Sequence, residues 1–118
     1  MSTSVQVLDL TKTPPRSGRT LLGRYTWLAR LADKARADQA GTIGEYVAYC
    51  PLSMGFLERV GISRDAFDAL VGQSATDEQL VAYFDRHVSP DQTETANHYI
   101  LEEQRAWLDE QDREEGRA

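Results

Sequence analysis

The chain has 118 residues, 41% of them apolar and 27% charged, a balance that suits one ordinary globular domain with a core of its own. Its formal net charge of −6 is unevenly spread: residues 1–40 hold seven basic against three acidic side chains, and residues 41–118 hold six against sixteen. This balance argues against general nucleic-acid binding, one cysteine excludes an internal disulfide framework and fits a reducing cytoplasm, and no apolar run approaches a membrane span.

Residues 1–16 read as an extended arm with no basic-then-apolar signal peptide pattern. In it Val5, Val7 and Asp9 alternate with Gln6 and Leu8, and Pro14-Pro15 closes it by removing amide donors. Arg16-Ser-Gly-Arg-Thr20 reads as a turn into a first helix, capped by Ser17 or Thr20 and running to about Gln39 before Gly41. Residues 41–50 are the least helix-like stretch: Ile43, Glu45, Val47 and Tyr49 alternate with Gly44, Tyr46, Ala48 and Cys50. They form a loop or short strand across the core, able to pair with the arm in a minor two-stranded ribbon.

Clearer punctuation follows. Pro51 suits the first position of a helix to about Val60, with Gly61 as a left-handed stop. Ser63 caps a helix through Val71, and Thr76 with Gln79 makes a capping box for another to about Val88. Ser89-Pro90 opens the last helix, which fades into a frayed acidic tail over residues 110–118. The expectation is an all-α, single-domain bundle of about five helices.

On the first helix, residues about 100° apart place Leu21, Tyr25, Leu28, Ala29, Ala32 and Ala35 inside and turn Trp27, Arg30 and Lys34 outward. Arg36 falls in the buried sector, so its guanidinium needs Glu45, Asp33, helix-end carbonyls or an anionic ligand. Arg16 and Arg19 flank Gly18 at a helix start, an arrangement suited to an anion, although complementing the acidic last helix is the simpler explanation. Glu45 is the best general-base candidate through its proximity to the arginines, with Tyr46 and Tyr49 beside it. Cys50 precedes a helix start that lowers a thiol pKa, but no CxxC motif or sequence-adjacent base supports reactivity. His87 lies on a packing face in a last helical turn and His98 on a polar face, without the spacing of a metal site. Asn97 and Gln104 share an apolar side with Ile100, Leu101, Trp107 and Leu108, so their amides need partners if buried.

Asp9-Leu-Thr-Lys12, Pro15-Arg-Ser17, Gly23, Asp33-Lys-Ala-Arg36, Ala40-Gly-Thr-Ile-Gly-Glu-Tyr46, Cys50-Pro-Leu52 and Phe56-Leu57 occur in that order. This run, over about residues 9–88, resembles the bacterial family called domain of unknown function 5069. The resemblance implies a small, mainly helical bacterial protein and no particular activity, and it matches less well from Pro90 onward.

These readings lead to a noncatalytic binding or protein-interaction module without a cofactor or metal. Its site lies around Arg16, Arg36, Glu45 and Tyr46, and an exposed Trp27 meets a protein partner or a second copy. The alternative is a small enzyme or metabolite-binding protein acting on an anionic small molecule. There Arg36 and Arg16 hold the charge, and Glu45 or His87 moves the proton.

Overall fold

Trp27 decides where the first helix begins. In this computed structural model, which describes residues 5–117, Trp27 has a left-handed φ of 68° and α1 spans Leu28–Ala40. That conformation is uncommon outside glycine and costs about 1–3 kcal/mol. It is held by tertiary contacts: Trp27 N donates to the Gly18 carbonyl at 2.9 Å, and its indole N–H donates to Ser53 Oγ at 3.0 Å. The indole is fully buried. The expected helix over residues 20–27 is instead a turn, in which Leu22 and Tyr25 exchange backbone hydrogen bonds around Gly23 (φ 61°).

The later start and a central position change which residues face inward. Every residue from Leu28 to Ala37 is buried. Trp27, Arg30 and Lys34, expected on the outer face, are therefore inside, whereas Leu21, expected inside, is 63% exposed. A helix covered on all sides must pair its charges internally, and α1 carries Arg30, Asp33, Lys34 and Arg36.

The next helix starts at Pro51, in the first helical position, and the three after it start behind side-chain caps. α2 spans Pro51–Val60 and stops at left-handed Gly61. α3 covers Arg64–Gly72, with Ser63 Oγ accepting from Ala66 N. α4 covers Asp77–His87 behind the Thr76–Gln79 capping box, and α5 covers Pro90–His98 behind a second box from Ser89 and Gln92. α5 packs on α2, and α1 on α3. Phe84 sits among Tyr25, Phe56 and Phe67, with ring centroids 5.2–6.2 Å apart.

The last helix is broken in two. Residues Tyr99–Glu103 form a π turn, in which Gln104 N donates to the Tyr99 carbonyl five residues back, and α6 then spans Arg105–Glu114. A π turn takes up about one extra residue. Regular α-helix would set position 107 above Ile100, but here Leu108 takes the core place and Trp107 is 60% exposed.

The architecture is all-α, with six helices and the π turn among the described residues. The expected ribbon does not form there. Leu10 N donates to the Thr42 carbonyl at 2.8 Å and Thr42 Oγ1 to the Leu8 carbonyl at 2.9 Å, but the Thr42 amide is already spent on Ala37 of α1. Left-handed Gly44 then turns the loop away from an extended path. The tail expected to fray is helical to Glu114 and docks on α1 through Glu115. Residues 1–4 of the arm and Ala118 of the tail lie outside the described residues.

Candidate functional site

Arg16 and Arg36 line one cleft, and Glu45 and Tyr46 line another. The first, of about 370 Å³, lies between the N-terminal arm, α1 and the start of α4 and is lined by Arg16, Asp33, Arg36 and Asp77. Arg16 binds Asp33 through Nε and Nη2, both at 3.0 Å, and reaches Asp77 through Nη1 at 3.0 Å. Arg36, buried as its position on α1 implies, donates Nη1 to Asp77 and Nη2 to the Ala75 carbonyl, each at 2.9 Å. Burial raises the Asp77 pKa, yet hydrogen bonds from Arg16 and Arg36 outweigh it and hold the carboxyl below its usual value. Arg16 thus spends its side-chain donors chiefly on two carboxylates of the same chain, whereas Arg36 has one carboxylate and one carbonyl partner and a buried Nε with no partner among the described residues.

Arg19 is engaged in the same way, with Nη1 on Asp112 at 2.5 Å and Nη2 on Asp109 at 2.6 Å. Here the basic turn does complement the acidic last helix. Asn97 anchors the turn before Trp27: its Oδ1 accepts from Thr26 N and Oγ1, and its Nδ2 donates to the Arg24 carbonyl. His87, expected on a packing face, is exposed and stacks on Tyr83 at 4.1 Å, because it points along the outer side of α4.

The second cleft, of about 470 Å³, opens between α1, residues 45–50 and α6. Its floor holds Arg30, Lys34 and Cys50, and its rim carries Glu45, Glu110 and Glu114. Val47 and Trp107, 61% and 60% exposed, form apolar walls. Glu45 and Tyr46 belong here, so they do not meet Arg16 and Arg36, which line the first cleft. Tyr46 donates its hydroxyl to Glu115 at 2.9 Å and lies over the Arg30 guanidinium. Tyr49 donates to Asp68 at 2.8 Å and packs against the core.

Lys34 has an unusual partner. Its ammonium is buried, lies 5.3 Å from the Trp27 ring centroid and is 3.4 Å from Cys50 Sγ. Burial pushes Lys34 below the usual lysine value. Burial also raises the Cys50 thiol, but the Lys34 charge and the hydrogen bonds of Ser53 and Lys34 bring it below the ordinary cysteine value. Arg30 Nε and Gln111 Oε1, in side chains of the same cleft, are buried without a hydrogen-bond partner among the described residues.

The family described as Domain of unknown function (DUF5069) matches residues 12–117. The chain belongs to this family. No curated protein matches it. The DUF5069 match extends well past residue 88 and takes in Trp107, Glu110 and Glu115, so the α6 wall of the second cleft is part of the family domain. Among the described residues of this DUF5069 domain, no helix is long and apolar enough to cross a membrane, and no group of three His, Cys, Asp or Glu side chains is placed to hold a metal.

Sequence periodicity gives no sign that Lys34 and Glu115 line a cleft, and it sets Trp107 on the apolar side of the last helix together with Leu108. An amphipathic helix with one free face would carry Lys34 outward, but α1 is buried on every side from Leu28 to Ala37. The π turn between Tyr99 and Glu103, which has no local signature, separates Trp107 from Leu108, so that the leucine is buried and the tryptophan exposed.

Proposed function

We propose that this DUF5069 protein is a noncatalytic interaction module that receives a basic, apolar segment of a partner protein in the second cleft. The observation that carries this reading is the pairing of two exposed apolar side chains, Val47 and Trp107, with a rim of glutamates at 45, 110 and 114. Exposed tryptophan is characteristic of interface anchors, and a carboxylate rim favours lysine or arginine on the partner. The bacterial cytoplasm, favoured by the single cysteine and the family resemblance, is the proposed setting.

The anion-directed alternative is less well supported. Arg16 and Arg36 are paired with Asp33 and Asp77, while Glu45, its proposed proton carrier, lies in the other cleft. An anion would have to displace carboxylates already in good geometry.

Fluorescence anisotropy tests the proposal with two short labelled peptides of equal apolar content, one rich in lysine and one rich in glutamate. The lysine-rich peptide binds, with an affinity that falls as salt rises, and a Glu110→Lys, Glu114→Lys chain loses that binding. Equal binding of both peptides, or of neither, contradicts the reading.

A further inference from the structure

We propose that Cys50 is a peroxide-reactive thiol whose oxidised sulfur is captured by the Lys34 side-chain amine, closing an S–N cross-link between α1 and the start of α2. The proposal is independent of partner docking, since it concerns the floor of the cleft rather than its rim. Its substrate class is a small uncharged hydroperoxide, of which hydrogen peroxide is the simplest.

Three observations carry it. The first is distance: Lys34 Nζ lies 3.4 Å from Cys50 Sγ, and Ser53 Oγ lies 3.5 Å from the same sulfur. The second is the state of Lys34, which is 3% exposed and has the sulfur as its hydrogen-bond acceptor among the described residues. Three N–H donors with one weak acceptor are an expensive arrangement for a buried charge. The pair relieves it by sharing one proton between nitrogen and sulfur, as ammonium and thiolate or as amine and thiol. The third is access. Cys50 is half-buried and lines the open cleft, whereas Lys34 behind it is shielded. The glutamate rim disfavours anions but leaves a neutral peroxide free to enter, and Arg30 Nε and Gln111 Oε1, without partners among the described residues, belong to side chains of the same cleft.

The chemistry balances with one peroxide. The Cys50 thiolate attacks one peroxide oxygen, the O–O bond breaks, and the departing hydroxide takes up the proton released by Lys34 to leave as water. Sulfur is oxidised by two electrons to the sulfenic acid, and the peroxide is reduced by two. With one cysteine in the chain, no second thiol is present to resolve this species. The Lys34 nitrogen, now a neutral amine, attacks the sulfur instead. The S–O bond breaks, and the hydroxyl departs as water with one amine proton. Thiol, amine and peroxide thus become a sulfenamide and two waters. Two equivalents of an external thiol reverse the bond, restoring Cys50 and Lys34 and forming one external disulfide.

Intact-protein mass spectrometry of the full chain, treated with a small excess of hydrogen peroxide and no reductant, reads the product directly. The expected product is lighter than the starting chain by about 2 Da, returns to the original mass with dithiothreitol, and yields a joined peptide containing Lys34 and Cys50. A Lys34→Met chain, checked for folding by circular dichroism, loses the 2 Da decrease and accumulates sulfenic acid that dimedone traps. Wild-type chain alone also decides the matter if that variant does not fold. An unreacted thiol, a disulfide-linked dimer, or a gain of about 14, 16 or 32 Da without any loss of about 2 Da would overturn the proposal.

Discussion

The Arg30 guanidinium and the Glu115 carboxylate meet in two parallel hydrogen bonds, 2.9 and 2.8 Å long, between side chains that are both buried and lie 85 residues apart in the chain. Tyr46 donates its hydroxyl to the same carboxylate, and Arg117 also pairs with it. This cluster fastens the end of α6 to α1 and residue 46, and so forms one wall of the cleft at Cys50.

Removing Glu115 leaves a buried guanidinium without its counter-charge. Glu115→Ala is expected to cost about 3–5 kcal/mol, and Glu115→Gln less, because the amide keeps one acceptor. Urea unfolding of both variants checks this. A loss below about 1 kcal/mol for the alanine variant would mean that the tail is not docked.

Stability should fall in acid for the same reason. Glu115 and Asp77 are both pushed up by burial, but hydrogen bonds from Arg30 to Glu115 and from Arg16 and Arg36 to Asp77 hold them below their ordinary values of 4.5 and 3.8. A carboxyl depressed in the folded state contributes its full stability above the unfolded pKa and loses it as pH falls toward the folded one. The melting temperature should therefore be level from neutral pH to about 5 and drop below about 4. Glu115→Gln should start lower and fall less steeply. A scan in which both chains have the same acid slope would contradict the role given to Glu115.

The π turn makes neighbouring residues behave oppositely. Leu108→Ala should cost about 2–5 kcal/mol, whereas Trp107→Ala should stay within about 0.5 kcal/mol. Acrylamide should quench the Trp107 emission and spare that of Trp27. Reversed costs would place α6 one residue out of register.

Gly18 is a packing requirement. A Cβ there would lie 2.6 Å from Trp27 Cε3 and 2.7 Å from Leu108 Cδ2. Gly18→Ala should lower stability by about 1–3 kcal/mol through overpacking, measured by thermal melting. An unchanged midpoint would show that Trp27 can move at little cost.

What was legible in the sequence was local. Pro51, Ser63, Thr76 and Ser89 mark helix starts and Gly61 a stop through local geometry, and α2 to α5 begin where the first four fall. The burial of Arg36 also followed from helical phase. Its partner did not, because Asp77 lies 41 residues away and only folding brings the two together. The start of α1 departs from the helical pattern since left-handed Trp27 is held by the Gly18 carbonyl and by Ser53, contacts that helical periodicity does not encode. The second cleft combines all such non-local effects: a helix buried on every side, a π turn, and a docked C-terminal segment.

The most direct test of the docking account is a ¹H–¹⁵N correlation spectrum of the chain titrated with the unlabelled lysine-rich peptide. Docking in the second cleft shifts Glu45, Val47, Cys50 and Gln111 and the indole N–H of Trp107, with the resonances of Arg16, Arg36 and Asp77 left in place. Shifts centred on that second group, or the absence of shifts around Trp107, would contradict it.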